Sequence, residues 1–407
     1  MTQRSLVPEM SRRHLLQLAT ATMTGVAVLK STSREALGNS AEAAPAAHYL
    51  LSMTDPEFGS KVVKVTEPLG PVPGLDLIWG KVARHHYSID QAWNADQTLL
   101  ALDRGTKPRV YLDGKTYKPL MARPDPGEIR WHPQRAEFMI FVSAQGVGLW
   151  HVKKNETHIL NPLKGYQGAN FGDHKGNPSD DGKRIAITAK RDDGKNVVFV
   201  VNLETGEKLA DIDMSSEYKI GHTSVSPKGA LIIAHSWRSE DKQSYHRRVF
   251  TLDGKLLQTW LEYERPGHGD FTIDNNGDEV FVGRSKSDPE RWQIIKRRLV
   301  DGHVTVLSPP CFASHVSARN TREPGWVFAT FAKGNARPSF APYKSEITAL
   351  AIDGSQRVRR LVQTHAVTDG YLTEPHGSAS PDGRRVIFAS NWGIKGGPIA
   401  AYVAEFA

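Results

Sequence analysis

Residues 374–393 read EPHGSASPDGRRVIFASNWG. Asp382-Gly383 sits between two runs that suit strands, Gly377–Ser380 and Val386–Ser390. Asp and Gly tolerate the positive φ of a tight hairpin turn, so the stretch predicts strand, turn, strand. The layout recurs. GEIRWHPQRAEFMIFVS starts at Gly127, GHTSVSPKGALIIAHSW at Gly221, GHGDFTIDNNGDEVFVGRS at Gly267 and SHVSARNTREPGWVFATF at Ser314. Looser copies begin at Tyr87 and Gly176. A third strand and a second hairpin follow most copies, as in Asn196–Leu203 with Glu204-Thr-Gly-Glu, and Arg248–Leu252 with Asp253-Gly. Four short strands repeating every 40–60 residues is the period of propeller blades.

Units begin near residues 86, 127, 170, 220, 267, 314 and 375. The last has room for only three strands before Ala407. Ser60-Lys-Val-Val-Lys-Val-Thr, within 48–67, is placed to add the fourth and close the ring, which removes aggregation-prone sheet edges. The expectation is an all-β chain: one seven-bladed β-propeller of four-stranded antiparallel blades over residues 48–407, closed by an N-terminal strand. At 407 residues, with 39% apolar and 24% charged side chains, the composition suits a globular protein.

Residues 1–47 read differently. Arg12-Arg13 precedes a moderately apolar run to Leu29, and Ala41-Glu42-Ala43 and Ala44-Pro45-Ala46 offer small-residue cleavage sites. The paired arginines resemble a twin-arginine export signal, which implies the Tat export machinery as a partner and a periplasmic or secreted destination. The run is too short and polar for a stable membrane anchor. The segment carries five basic and three acidic residues, so its removal lowers the formal net charge from +8 to +6. A basic, exported domain suits anionic partners and argues against nucleic acid. The single cysteine, Cys311, excludes an internal disulfide and reads as a small buried side chain.

In a propeller, the loop leading into each inner strand and the loop between the second and third strands open on one face. Histidines gather in the first set: His85, His86, His174, His222, His268, His315 and His376, with Asp173, Asp270 and Glu374 beside them. The second set carries Lys190, Arg191, Lys195, Arg238, Lys242, Arg284, Lys286, Lys333, Arg337 and Lys395, with Trp237, Tyr245, Trp292, Phe340, Tyr343 and Trp392. A basic, aromatic rim around a histidine-lined mouth suits an anionic sugar polymer. Arg238, Arg284, Trp237, Tyr245 and Trp392 are the candidate substrate contacts. His222, His268, His315 and His376 are candidate metal ligands, because neutral imidazole binds divalent ions; Glu128 and Asp270 are possible additions. The same histidines also suit a structural role, bonding the backbone of neighbouring blades.

The SPDG and SPKG repeats, with strands such as RRVIFASNW, resemble TolB-type and WD40-like bacterial propellers. The histidine-rich mouth resembles oligogalacturonate lyases and related propeller polysaccharide lyases. That resemblance implies β-elimination on uronate chains and a divalent metal (Mn, Ca or Zn) held by histidines and a glutamine. No glutamine of this sequence aligns with that ligand; Gln167 is a nearby possibility. The chemistry needs a cation against the uronate carboxylate and a base for the C5 proton; His268, His376 and Arg319 are the candidates. Two other readings stay open: a non-catalytic propeller that binds a protein or glycan, and a metal-dependent oxidoreductase or hydrolase.

Overall fold

A computed structural model describes residues 48–172, 176–240, 244–263, 268–311, 313–331 and 343–406. The expected export segment 1–47 lies outside them, as do Asp173, His174, Lys242, Lys333, Arg337 and Phe340. No α-helix occurs among the described residues, and none of their helices is long and apolar enough to cross a membrane.

The chain forms seven antiparallel sheets, each a blade. Inner strands are Glu128–Trp131 in blade 2, Tyr166–Asn170 in blade 3, Lys219–Val225 in blade 4, Gly269–Ile273 in blade 5, His315–Ser317 in blade 6 and Ser378–Ala379 in blade 7. Blade 1 has three strands, Leu99–Leu102, Arg109–Asp113 and Pro119–Arg123, and its inner position shrinks to one bridge between Trp93 and Leu100. In the last hairpin, Gly383 takes φ +66°, Ser380 Oγ bonds Asp382 Oδ1 at 2.6 Å, and the Gly383 N–H donates to Ser380 O at 2.9 Å. That is the turn chemistry read from the sequence.

Strand Lys61–Lys64 pairs antiparallel with the last strand, Ile399–Glu405, from Lys61 opposite Glu405 to Lys64 opposite Tyr402. It is the fourth strand of blade 7. Ser52–Thr54 adds a further strand outside it, and Val82–Ala83 pairs parallel with Ile399–Ala400.

Strands buried on both faces explain the continuous apolar runs. Each of seven hydrophobic clusters lies between two successive blades. Leu99 and Tyr111 meet Trp131 and Met139 between blades 1 and 2, and Val142 and Val147 meet Ile185 and Ile187 between 2 and 3. Phe328 and Leu361 meet Phe388 and Tyr402 between blades 6 and 7. Ile387 and Val403 of blade 7 pack with Leu100 and Val110 of blade 1. The others join blades 3 to 4, 4 to 5 and 5 to 6. Seven interfaces for seven blades is the packing of a closed ring, and that ring aims the starts of all inner strands at one channel mouth. Cys311 is buried in the blade 5–6 cluster, where burial raises its thiol pKa.

Candidate functional site

At the channel mouth, blades 5, 6 and 7 and the segment leading into blade 1 bring one side-chain cluster together. His315 Nε2 lies 2.8 Å from Glu374 Oε2, and His376 Nε2 lies 3.1 Å from the same oxygen. The two imidazole rings cross edge-on at 4.1 Å, and the His268 ring stands 4.5 Å from that of His315. Tyr87, from the segment leading into blade 1, packs 4.8 Å from His376 and 5.1 Å from His315, and its hydroxyl makes a short hydrogen bond with His268 Nδ1. Tyr371, in a 3-10 turn over Tyr371–Thr373, lies 4.8 Å from His376 and stacks on Tyr87 at 6.3 Å.

Backbone conformation at His376 is unusual. Its φ is +50°, left-handed for a non-glycine residue. Such a conformation costs on the order of 1–3 kcal/mol and persists where surroundings over-determine it. Here they do. His85 Nε2 donates to His376 O at 2.7 Å, Gly377 N–H donates to Thr330 Oγ1 at 3.0 Å, and Arg84 Nη2 donates to His376 Nδ1 at 2.7 Å. Arg84, fully buried, also bonds the carbonyls of His85, Leu372 and Glu374.

These contacts fix protons. A guanidinium only donates, so His376 Nδ1 accepts and the proton of the neutral ring sits on Nε2, facing Glu374. His315 differs: its buried Nδ1 has no hydrogen-bond partner. Its proton can therefore move to Nδ1 and leave Nε2 as a lone pair. Burial lowers the pKa of His315, and burial first, then the adjacent imidazoles and Arg84, lowers that of His376 further; both shifts favour the neutral ring.

His315, Glu374 and His376 form a group able to hold a metal ion, with one donor atom from each within 4.8 Å of the others. Donors about 2.0–2.2 Å from a common ion stand roughly 3 Å apart, as the two imidazole–carboxylate contacts here do. His315 and Glu374 fit without rearrangement. His376 would join them as a neutral imidazole only with its proton moved to Nδ1 and the Arg84 bond to that nitrogen given up. Because protons and a cation compete for these ring nitrogens, cation affinity at this site should fall as pH falls.

His85 gives a stability prediction. Burial, then the Arg84 charge, lowers its pKa to about 3. An unfolded histidine titrates near 6.5 and so binds more protons than the folded one throughout the interval between. Stability is therefore intact above pH 6.5 and falls with acidification at up to about 1.4 kcal/mol per pH unit from this group. Melting of wild type and His85→Asn between pH 7.5 and 5 should show a shallower pH dependence in the variant.

Other residues singled out in the sequence stand elsewhere. His222 lies within the blade 4 inner strand, 5.4 Å from the His235 ring and 6.2 Å from Phe271, with Nε2 on Ser224 Oγ at 3.2 Å. Arg319 is held deeper by Asp270 through two 2.8 Å bonds, and Asp270 also accepts the Ala318 N–H. Arg319→Ala would leave the Asp270 carboxylate buried without its counter-ion. It should destabilise the fold by about 3 kcal/mol, read as a lower denaturation midpoint. Glu128 accepts the Phe171 N–H and so ties blade 2 to blade 3. Gln167 lies on blade 3, exposed, with Nε2 3.5 Å from Asp192.

Among rim candidates, Trp237 packs on Tyr245 at 5.0 Å, with Lys219 over the indole and Arg238 exposed beside it. Arg284 is buried, donates to Ala313 O and lies over Trp292. Trp392 is stacked between His365 and Tyr402 and is 8% exposed. Arg84 and Tyr87 were not singled out from the sequence; only the closed ring shows that they meet His376 and His268.

No protein-family model and no curated protein matches this chain. Among solved structures, an oligogalacturonate lyase in complex with manganese superposes with a TM-score of 0.60 at 15% identity, over 88% of this chain and 96% of that one. The oligogalacturonate lyase of Vibrio parahaemolyticus superposes with a TM-score of 0.58 at 14% identity, over 87% and 96%. The chain thus shares the propeller fold of these lyases, in keeping with the TolB- and WD40-like repeats of its sequence.

Proposed function

We propose that this chain is an exported lyase that cleaves uronate-containing oligosaccharides by β-elimination, assisted by a divalent cation. The observation that carries the reading is the meeting of His315, Glu374 and His376 beside the Tyr87–His268 pair, at the mouth of a propeller whose structural neighbours are oligogalacturonate lyases. One of those neighbours is a manganese complex, and manganese is the first ion to test here.

When bound by His315, Glu374 and His376, a divalent cation supplies positive charge next to the uronate carboxylate and makes the C5 proton more acidic. His268 is the base. With its Nδ1–H donated to the Tyr87 oxygen, its unprotonated Nε2 accepts the C5 proton. The C4–O bond breaks, its electrons leave with the oxygen, a C4=C5 double bond forms, and the departing oxygen takes a proton from water. Tyr87 acts through His268 by fixing its tautomer, and Arg84 holds His376 in place. Exposed Arg238 and the Lys219–Trp237 stack offer charge and an apolar face to the rest of the sugar chain.

Incubation of the purified domain with manganese and a panel of short uronides tests this. Unsaturated uronide ends, seen by the ultraviolet absorbance of the conjugated product, are expected. Binding of the same oligomers without cleavage at any pH or metal would instead support a non-catalytic glycan-binding propeller.

A further inference from the structure

Resting on the uronide reading, we propose that a groove on blade 1 beside the histidine cluster is a second saccharide subsite, where Arg104 binds the carboxylate of a non-reacting uronate residue. The groove has a volume of about 1020 Å³, at the upper end of ligand pockets (about 300–1,000 Å³). Its walls are the Asp103–Arg109 loop, Pro124, Asp125, Val82 and Leu372. Leu372, 39% exposed, adjoins Tyr371 in the turn beside His376.

The backbone ties this groove to the cluster. Arg84 N–H donates to Arg104 O at 3.1 Å, and Arg104 N–H returns the bond to Arg84 O at 3.0 Å. The side chain of Arg84 holds His376. The residue that fixes the cluster is thus paired with the residue that faces the groove. A second cavity of about 390 Å³ shares Asp103, Arg104, Arg109 and Asp125 with the groove and reaches His85, His86 and Asp90 at the channel. The two cavities therefore adjoin at these four residues.

Charge decides what the groove accepts. Asp103 and Asp125 are both taken up by Arg109, whose Nη2 lies 2.8 Å from one and 2.7 Å from the other. Arg104 is 3.7 Å from Asp103, a loose contact, and Lys107 is exposed. Three cations (Arg104, Lys107 and Arg109) face two carboxylates, a formal balance of +1 with Arg104 the least committed guanidinium. A planar fork matches a carboxylate with two parallel hydrogen bonds. Val82, Pro108, Pro124 and Leu372 give the apolar surface on which a pyranose face can rest.

The loop is also built to stay where it is. Gly105 takes φ +116°, and a Cβ there would lie 2.8 Å from Ala83 Cα and 2.9 Å from Ala83 Cβ. Only glycine lets the loop lie this close to the Val82–Ala83 strand. The groove floor is therefore set by the fold before any ligand arrives, which lowers the ordering cost of binding.

The test compares kcat/KM for a uronide dimer and trimer in wild type, Arg104→Ala and Arg104→Lys, alongside calorimetric binding of the trimer and of an uncharged trisaccharide. Wild type should favour the trimer. The trimer-to-dimer ratio should fall about 10-fold in Arg104→Ala, the size of one exposed charge-assisted contact of about 1.4 kcal/mol. Arg104→Lys should recover part of it. An unchanged ratio in an enzyme that cleaves both oligomers overturns the subsite and leaves the lyase reading standing. Arg104-dependent trimer binding without cleavage leaves the subsite standing and removes the lyase reading. A wild-type protein that neither binds nor cleaves the trimer overturns both.

Discussion

His268→Ala is expected to lower kcat on a uronide substrate by about 10²–10⁴-fold, the usual worth of a positioned general base. KM should change little, because the imidazole acts on the C5 proton and not on the carboxylate. The fold should survive. His268 is only part-buried, and its contacts to Tyr87 and His315 are ring edges and one hydrogen bond. Tyr87→Phe should cost less, about 10-fold in kcat. It keeps the ring that packs on His315, His376 and Tyr371 and removes only the hydroxyl that fixes the His268 tautomer. A structural hydroxyl would leave the pH–rate profile in place; a positioning one should shift its acidic limb. Full kcat in His268→Ala would remove the histidine from the chemistry.

The second large effect is expected at Glu374. Both Nε2 atoms of the cluster converge on one of its carboxylate oxygens. Glu374→Gln keeps the shape and takes away the negative charge that attracts a cation and accepts the two imidazole protons. The apparent affinity for manganese should weaken by on the order of 100-fold. Activity at limiting metal should fall in parallel and recover in part at high metal. The Glu374 carboxylate is about one-third exposed, so the variant should melt close to wild type. Removing Arg84 would be a poorer test, since that side chain also ties together the carbonyls of His85, Leu372 and Glu374.

Fold was legible because its signals are local. Asp-Gly or Asn-Gly pairs at several of the hairpins, and apolar runs either side of the turns, are read without knowing which blades touch. Gly182, Gly277 and Gly383 all take positive φ at such turns. Even the role of 60–66 followed from counting strands in the last unit, and its pairing with Ile399–Glu405 places it on that blade. The first blade departs from the repeat: its inner strand reduces to the Trp93–Leu100 bridge, which strand periodicity around Tyr87–Asp103 does not reveal.

The site was less legible, and His222 shows why. His222 and His376 stand seven residues before their turn glycines, Gly229 and Gly383, so the sequence gives them one register. The inner strand of blade 4 starts at Lys219, before its histidine, while that of blade 7 starts at Ser378, after it. A register shift between Ile220 and Thr223 turns the strand at that point, and His222 meets His235 and Phe271. A one-residue change in register reverses the face of a strand side chain. Arg319 carries a similar lesson. Its sequence neighbours show a cation near a channel, and only the adjacent blade shows that Asp270 occupies it. Trp392 reads as a rim aromatic, yet a left-handed φ of +48° at this residue accompanies its burial between His365 and Tyr402.

Glu374 lay in view, two residues before His376 in the same loop. Its weight as a meeting point for two histidines depends on His315, 59 residues away along the chain. Arg84 and Tyr87 precede the first blade and reach the last ones only because the ring closes.

Elemental analysis of the purified domain, equilibrated with manganese and desalted at pH 7.5, tests the central claim most directly. About one divalent ion per chain, lost on Glu374→Gln, is the expected result. A metal-free wild-type protein that still cleaves uronides at full rate in the presence of a chelator would contradict it.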